Sequence, residues 1–173
     1  MSGYVVGVDP SSRLVASIIA TEVNGSIITQ RNAVRMPPKM PARTCQLAYM
    51  GMRRLLRGLA EETDTINVFI EAPTYIPRAG ANSLIPQAQV NGALLAAASS
   101  VPQVRTIENV PPARWKKAVI KKGTAGKPQI KEWCAKHWRD AYDLASGEQD
   151  FYDAAGICFF GMKVSNNITM MKG

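Results

Sequence analysis

Apolar positions along the chain follow two periods. Residues 4–9 (YVVGVD) set Val5, Val6 and Val8 close together without polar alternation, which predicts a strand covered on both faces. Residues 14–22 (LVASIIATE) predict a second strand. Asn24-Gly25 predicts a two-residue hairpin turn, since both turn positions need positive φ, and residues 26–33 an antiparallel third strand. Pro37, Pro38 and Pro41 mark a loop. From 42 to 61 the period changes: Ala48, Met52, Leu55, Leu56 and Leu59 recur at helical spacing, with Arg53, Arg54 and Arg57 off that stripe. Residues 66–71 (INVFIE) read as a strand reached through a helix, hence parallel to the first.

Beyond it, Pro and Gly predict a loop over 72–86, and small and apolar residues a helix over 87–100. A short strand over 103–108, a helix over 113–120, a lysine loop over 121–126 and a helix over 128–140 follow. The last helix is expected to start near Ser146, where Ser146 and Gln149 have capping-box spacing, and to end near 163. Three antiparallel strands followed by alternating helix and strand predict an α/β fold, a mixed five-stranded sheet with helices on both faces. For 173 residues one domain is the default. It is placed at 1–165, with 166–173 as a flexible tail.

Composition narrows the setting. Cys45, Cys134 and Cys158 are odd in number and widely spaced, which fits unpaired thiols in a reducing cytoplasm. No apolar run approaches the ~20 residues of a membrane-spanning helix. The opening residues lack the charged region of a signal peptide, so a cytoplasmic protein with no membrane partner is expected. The net charge of +8 is local: residues 105–139 hold ten Lys or Arg against Glu108 and Glu132. The rest of the chain balances at eleven basic and eleven acidic residues. Such a block suits a phosphate backbone, and it also fits a solvated helix face.

Four acids tip that balance. Asp9 closes the first strand and Glu71 the fourth, while Asp150 and Asp153 lie three apart at the start of the last helix. A carboxylate at the end of a buried strand is costly without compensation. Strand ends are where open α/β sheets place ligands, and residues three apart share a helix face. If the helix start abuts the strand ends, the four are expected to converge and to suit two Mg²⁺ (or Mn²⁺) ions about 4 Å apart for in-line phosphoryl displacement. Singly, each acid has a plainer reading: a turn residue for Asp9, a surface strand end for Glu71, helix N-terminal acids for Asp150 and Asp153.

GVDPSSR at 7–13, FIEAP at 69–73, QAQVNGALLAAA at 87–98, WKKAVIKKGTAGKPQI at 115–130 and DFYDAAG at 150–156 together resemble RuvC-type Holliday junction resolvases of the ribonuclease H-like superfamily, the bacteriophage-type members above all. The similarity spans about residues 3–162. It implies a ribonuclease H-like fold and a Mg-dependent endonuclease that resolves Holliday junctions and other branched DNA by paired nicks. Asp9, Glu71, Asp150 and Asp153 match its metal-binding and catalytic acids, and Lys116 and Lys127 match basic positions near its active site. Lys127 is thereby counted with the catalytic set. Arg114, Lys117, Lys121 and Lys122 extend the expected DNA-binding surface. The resemblance further implies a homodimer formed through the helix at 87–100, with Gly92, Ala93, Ala96 and Ala97 allowing close approach, and no small-molecule cofactor.

This chain departs from the family in its lysine loop, where Lys121 and Lys122 occupy a stretch that is usually glycine-rich with few charges. Backbone charge favours affinity over base reading, so weak sequence preference is expected. Tyr75 stands where bacterial members carry a junction-probing aromatic and is a candidate for base stacking, or a loop-packing tyrosine. His137 reads as a helix-surface residue, and packing accounts for at least two of Trp115, Trp133 and Trp138. Rival readings are a ribonuclease H-like nuclease acting on RNA or an RNA–DNA hybrid, and a non-catalytic branched nucleic-acid-binding module.

Overall fold

The computed structural model describes residues 3–11, 13–37, 41–74 and 81–165. The chain builds β1 (Tyr4–Pro10), β2 (Leu14–Val23), β3 (Ser26–Arg35), α1 (Pro41–Ala60), β4 (Ile66–Glu71), α2 (Ala81–Ser99), β5 (Val104–Val110), α3 (Pro112–Ile120), α4 (Lys127–His137), α5 (Arg139–Ala145) and α6 (Gln149–Val164). One five-stranded sheet runs in the order β3-β2-β1-β4-β5. β1–β2 and β2–β3 pair antiparallel, β1–β4 and β4–β5 parallel. This is the predicted mixed sheet. The β2–β3 turn has Asn24 at φ 52° and Gly25 at φ 79°, as its sequence requires.

Side chains alternate between the faces of a strand, and here each face has its own helices. Tyr4, Val6 and Val8 of β1 pack with Met52 and Leu56 of α1 and with Val90 and Leu94 of α2. Val5 of β1 and Phe69 of β4 pack on the opposite side, with Trp115 of α3, Trp133 of α4 and Ile157 and Phe160 of α6. β1 is therefore buried on both faces, which explains its unalternating apolar run.

Three local expectations are corrected. α2 starts at Ala81, inside the expected loop; Pro86 lies in its second turn, where the missing N–H forfeits one backbone bond. The helix predicted over 128–140 is two helices. Trp138 breaks them with φ −148° and ψ 76°, while its buried indole donates to Thr29 Oγ1 at 3.1 Å. Ser146 does not cap α6. It ends α5 in a left-handed conformation (φ 51°), Gly147 follows at φ 86°, and Glu148 precedes α6 with no side-chain cap. Tyr75 and the tail at 166–173 lie outside the described residues. Among the described residues no helix is long and apolar enough to cross a membrane.

Candidate carboxylate site and basic surface

The register of β1 and β4 sets two of the acids together. Val8 pairs with Ile70, so the next residues, Asp9 and Glu71, stand side by side at the carboxyl ends of parallel strands. Alternation puts Asp9 on the face of Val5 and Gly7, and Glu71 on that of Phe69, the side covered by α6.

α6 crosses β1 in the opposite sense, and small residues let it come close. The Cys158 thiol lies 3.4 Å from the Val5 carbonyl. At Gly7 an added Cβ would stand 2.2 Å from the Cys158 nitrogen and 2.5 Å from the Ala154 oxygen. Following the strand from Val5 through Gly7 to Asp9 follows the helix back to Asp153 and Asp150. The first turn of α6 thus lies over the Asp9–Glu71 edge.

The electrostatics record that meeting. Burial holds the Asp9 carboxyl well above the usual range, and the charges of Glu71, Asp153 and Asp150 push it further the same way. Burial also raises Glu71, against the indole of Trp115, the charge of Lys116 and a hydrogen bond with Asp9. Asp153 is pushed up to about 6 by burial and by Glu71, against a hydrogen bond from Gln149 and the charge of Lys116.

Two neutral donors fix carboxylate oxygens. Trp115 Nε1 donates to Glu71 Oε1 at 2.8 Å, and Gln149 Nε2 to Asp153 Oδ2 at 3.3 Å. Asn91 of α2 donates to the Glu71 carbonyl at 3.0 Å and exchanges hydrogen bonds with Asn109 of β5. Asp153 Oδ1 is buried and has no hydrogen-bond partner among the described residues. Sequence reasoning missed the roles of Trp115, Gln149 and Asn91; the signal for the first was its place next to Lys116, one residue from a cation of the site.

The donor chemistry fits a divalent cation: hard carboxylate oxygens, mutually repelling, one of them orphaned. Among the described residues, however, no three His, Cys, Asp or Glu side chains close into a ligand shell by themselves. The charges of Glu71, Asp153 and Asp150 all act on Asp9, yet the four acids do not form a closed cage.

The basic candidates divide. Lys116 is half-buried beside Trp115, its Nζ 5.4 Å from the ring centroid, and its charge reaches Glu71 and Asp153. Lys117, Lys121 and Lys122 are exposed on α3 and the loop after it. Lys127 is exposed at the first position of α4, and among the described residues no ion pair joins it to an acid. Arg114 is tied to Glu108 in an ion pair.

All three tryptophans are buried, so packing claims each of them. His137 is exposed and stacks on Trp133, as a helix-surface residue. Cys45, Cys134 and Cys158 are free. Of the four small residues expected at a dimer contact, Gly92 and Ala96 are exposed and Ala93 half-buried. Ala97 is wholly buried against the core and is corrected out of that set.

Neither a family model nor a curated protein matches the sequence. Solved structures do match. RuvC of Thermus thermophilus aligns with a TM-score of 0.65 at 16% identity over 95% of each chain. The same organism's RuvC in complex with a Holliday junction substrate gives 0.64 at 15% identity, over 95% of this chain and 97% of that one. The yeast mitochondrial Holliday junction resolvase gives 0.62 at 13%, over 96% of this chain and 80% of that one. Likeness at these identities establishes architecture: the chain has the ribonuclease H-like fold of the RuvC-type Holliday junction resolvases.

Proposed function

We propose that this chain is a divalent-cation-dependent endonuclease that resolves Holliday junctions and other branched DNA. The observation that carries the reading is the meeting of Asp9 and Glu71, paired by strand register, with Asp153 and Asp150 of α6 on one sheet edge. The RuvC-like fold supports it. Two bound Mg²⁺ or Mn²⁺ ions would supply the charge that acidifies an attacking water and steadies a leaving oxygen.

The chain's own residues do the rest. Asp9, Glu71, Asp150 and Asp153 would hold the cations. Trp115 and Gln149 each fix one carboxylate oxygen, and the Asp153 Oδ1 is left free to serve as a ligand. The water oxygen bonds to phosphorus and releases a proton to solvent, the P–O3′ bond breaks, and the 3′ oxygen takes up a proton from solvent, leaving 5′-phosphate and 3′-hydroxyl ends. Lys116 stands by the carboxylates and orients the scissile phosphate; Lys117, Lys121, Lys122 and Lys127 hold the backbone around it, and Arg114 joins them from its pair with Glu108. A homodimer would bring two such sites to one junction, with the exposed Gly92 and Ala96 of α2 at the contact.

Labelled four-way junction, linear duplex and RNA–DNA hybrid, each with and without Mg²⁺, test the proposal. Paired nicks across the junction point are expected, abolished by Asp150→Asn while junction binding survives. Undiminished cutting by that variant would sink the site, and cutting of the hybrid alone would move the function to RNA processing.

A further inference from the structure

Several arginines of the sheet and the α3–α6 layer are matched with acids. Arg31 and Arg35 face Glu148, Arg114 faces Glu108, and Arg139 faces Asp143. Helix α1 breaks that pattern. Its 20 residues include Arg43, Arg53, Arg54 and Arg57 and no Asp or Glu. Among the described residues none of these four is in an ion pair.

Three of them gather in one place. Arg53, Arg54 and Arg57 line a surface groove of about 460 Å³ with Tyr49, Met50 and Glu61. Against the single acid Glu61, two positive charges remain. Among the described residues the Nε of Arg53 is buried with no acceptor, a state that costs free energy. Guanidinium forks match phosphate in a bidentate geometry that a lysine cannot reproduce.

α1 packs on one face of the sheet, and the lysine-bearing layer of α3 and α4 on the other. A straight duplex lying along the lysines would not reach the arginines. A nucleic acid whose strands diverge at a branch can reach both. An acidic peptide would account for the groove alone, whereas one polyanion accounts for unpaired cations on both layers.

We infer that the Arg53–Arg54–Arg57 groove is a second nucleic-acid contact, binding backbone phosphates of a DNA arm that leaves the carboxylate site around the sheet edge. The inference rests on the proposed function for the branching of the substrate. Phosphate binding in the groove does not depend on cleavage.

The test is fluorescence anisotropy with the full chain in EDTA, on a labelled four-way junction and on a linear duplex of one arm's length, over a series of salt concentrations. Arg54 and Arg57 are exposed, so Arg54→Ala/Arg57→Ala is expected to melt as the wild type does. It should weaken junction binding and make the log–log salt slope shallower by about 1–2, at ~0.9 for each phosphate no longer neutralised. The linear duplex should be much less affected. An unchanged junction slope overturns the contact, and an equal loss on the duplex overturns its assignment to a second arm. Unchanged DNA binding with lost binding of a labelled polyglutamate peptide overturns it in favour of an acidic partner. A wild type that binds junctions in this assay but never nicks them with Mg²⁺ would sink the nuclease and leave the groove standing.

Discussion

The indole N–H of Trp115 donates to Glu71 Oε1 at 2.8 Å, from a ring with no exposed surface. α6 seats that ring. A Cβ on Gly156 would stand 2.4 Å from the indole carbon Cζ3. One helix therefore presents Asp150 and Asp153 from its first two turns and, a turn later, makes room for the donor that fixes Glu71. Because the indole has a single N–H, it can engage one carboxylate oxygen and leaves the other for a cation.

Trp115→Phe removes the donor and keeps an aromatic ring against Gly156. Groups that orient metal ligands typically carry 10–100-fold in metal affinity or activity, and a loss of about that size is expected here. Mn²⁺ titration followed by electron paramagnetic resonance, without DNA, reads it directly. Equal affinity for Mn²⁺ in the variant and the wild type would show that the hydrogen bond is packing only.

The acids should make the metal-free protein less stable as pH rises. Asp153 titrates near 6 in the folded chain, above its ordinary value of 3.8, with burial the first cause and Glu71 the second. A carboxyl raised on folding binds its proton more tightly in the native state, so its contribution is complete at low pH and is lost as pH climbs through the folded value. Asp9 and Glu71 shift in the same direction. Thermal melting in EDTA is expected to fall between about pH 4 and pH 7, and Mg²⁺ to restore it at pH 7. Asp153→Asn should flatten the profile and raise the metal-free melting temperature at pH 7. A flat wild-type profile would argue that the acids do not interact.

The sheet could be read from the sequence because each strand carries its own signal. β1 and β4 are short, mainly apolar runs with an acid at or next to the last position, Asp9 and Glu71, and Asn24-Gly25 fixes the β2–β3 turn. The acids were legible as two pairs, one on parallel strand ends and one on a helix face, but the meeting of the pairs was not, since nothing local in positions 146–156 states where α6 lands. Its landing is set by Gly7, a glycine 140 or more positions away whose role shows only when Ala154 and Cys158 lie on it. The break at Trp138 was hidden for a similar reason: helical spacing continues through it, and the side chain is held by Thr29 of a distant strand. The charge count was misleading in one respect. It found the block at 105–139 but treated the remainder as balanced, although all four cations of α1 lack acids on their own helix.

Gly7→Ala tests that landing. The new methyl would meet backbone atoms of α6 at 2.2–2.5 Å, and helix backbone cannot rotate away as a side chain can. Overpacking of this kind costs roughly 1–3 kcal/mol or more. The helix must lift from β1, and the lift separates Asp153 from Asp9. Lower melting temperature together with weaker Mn²⁺ binding is the expected pair of results. Destabilisation with undiminished Mn²⁺ affinity would mean that the acids on α6 are not part of the cation site.

Lys121 and Lys122 follow α3 directly, with Lys121 in a left-handed conformation at φ 66° that ends the helix. Both are exposed, and among the described residues neither pairs with an acid. They hold no carboxylate in place, so Lys121→Ala/Lys122→Ala should leave Mn²⁺ affinity and melting unchanged. Junction affinity should fall, and the log–log salt slope should become shallower by about 1–2, at ~0.9 for each phosphate neutralised. The loss should be alike for junctions of different sequence, because phosphate contacts position a protein without reading bases. An unchanged slope would turn this loop away from the DNA, and a sequence-dependent loss would make it a reader of bases.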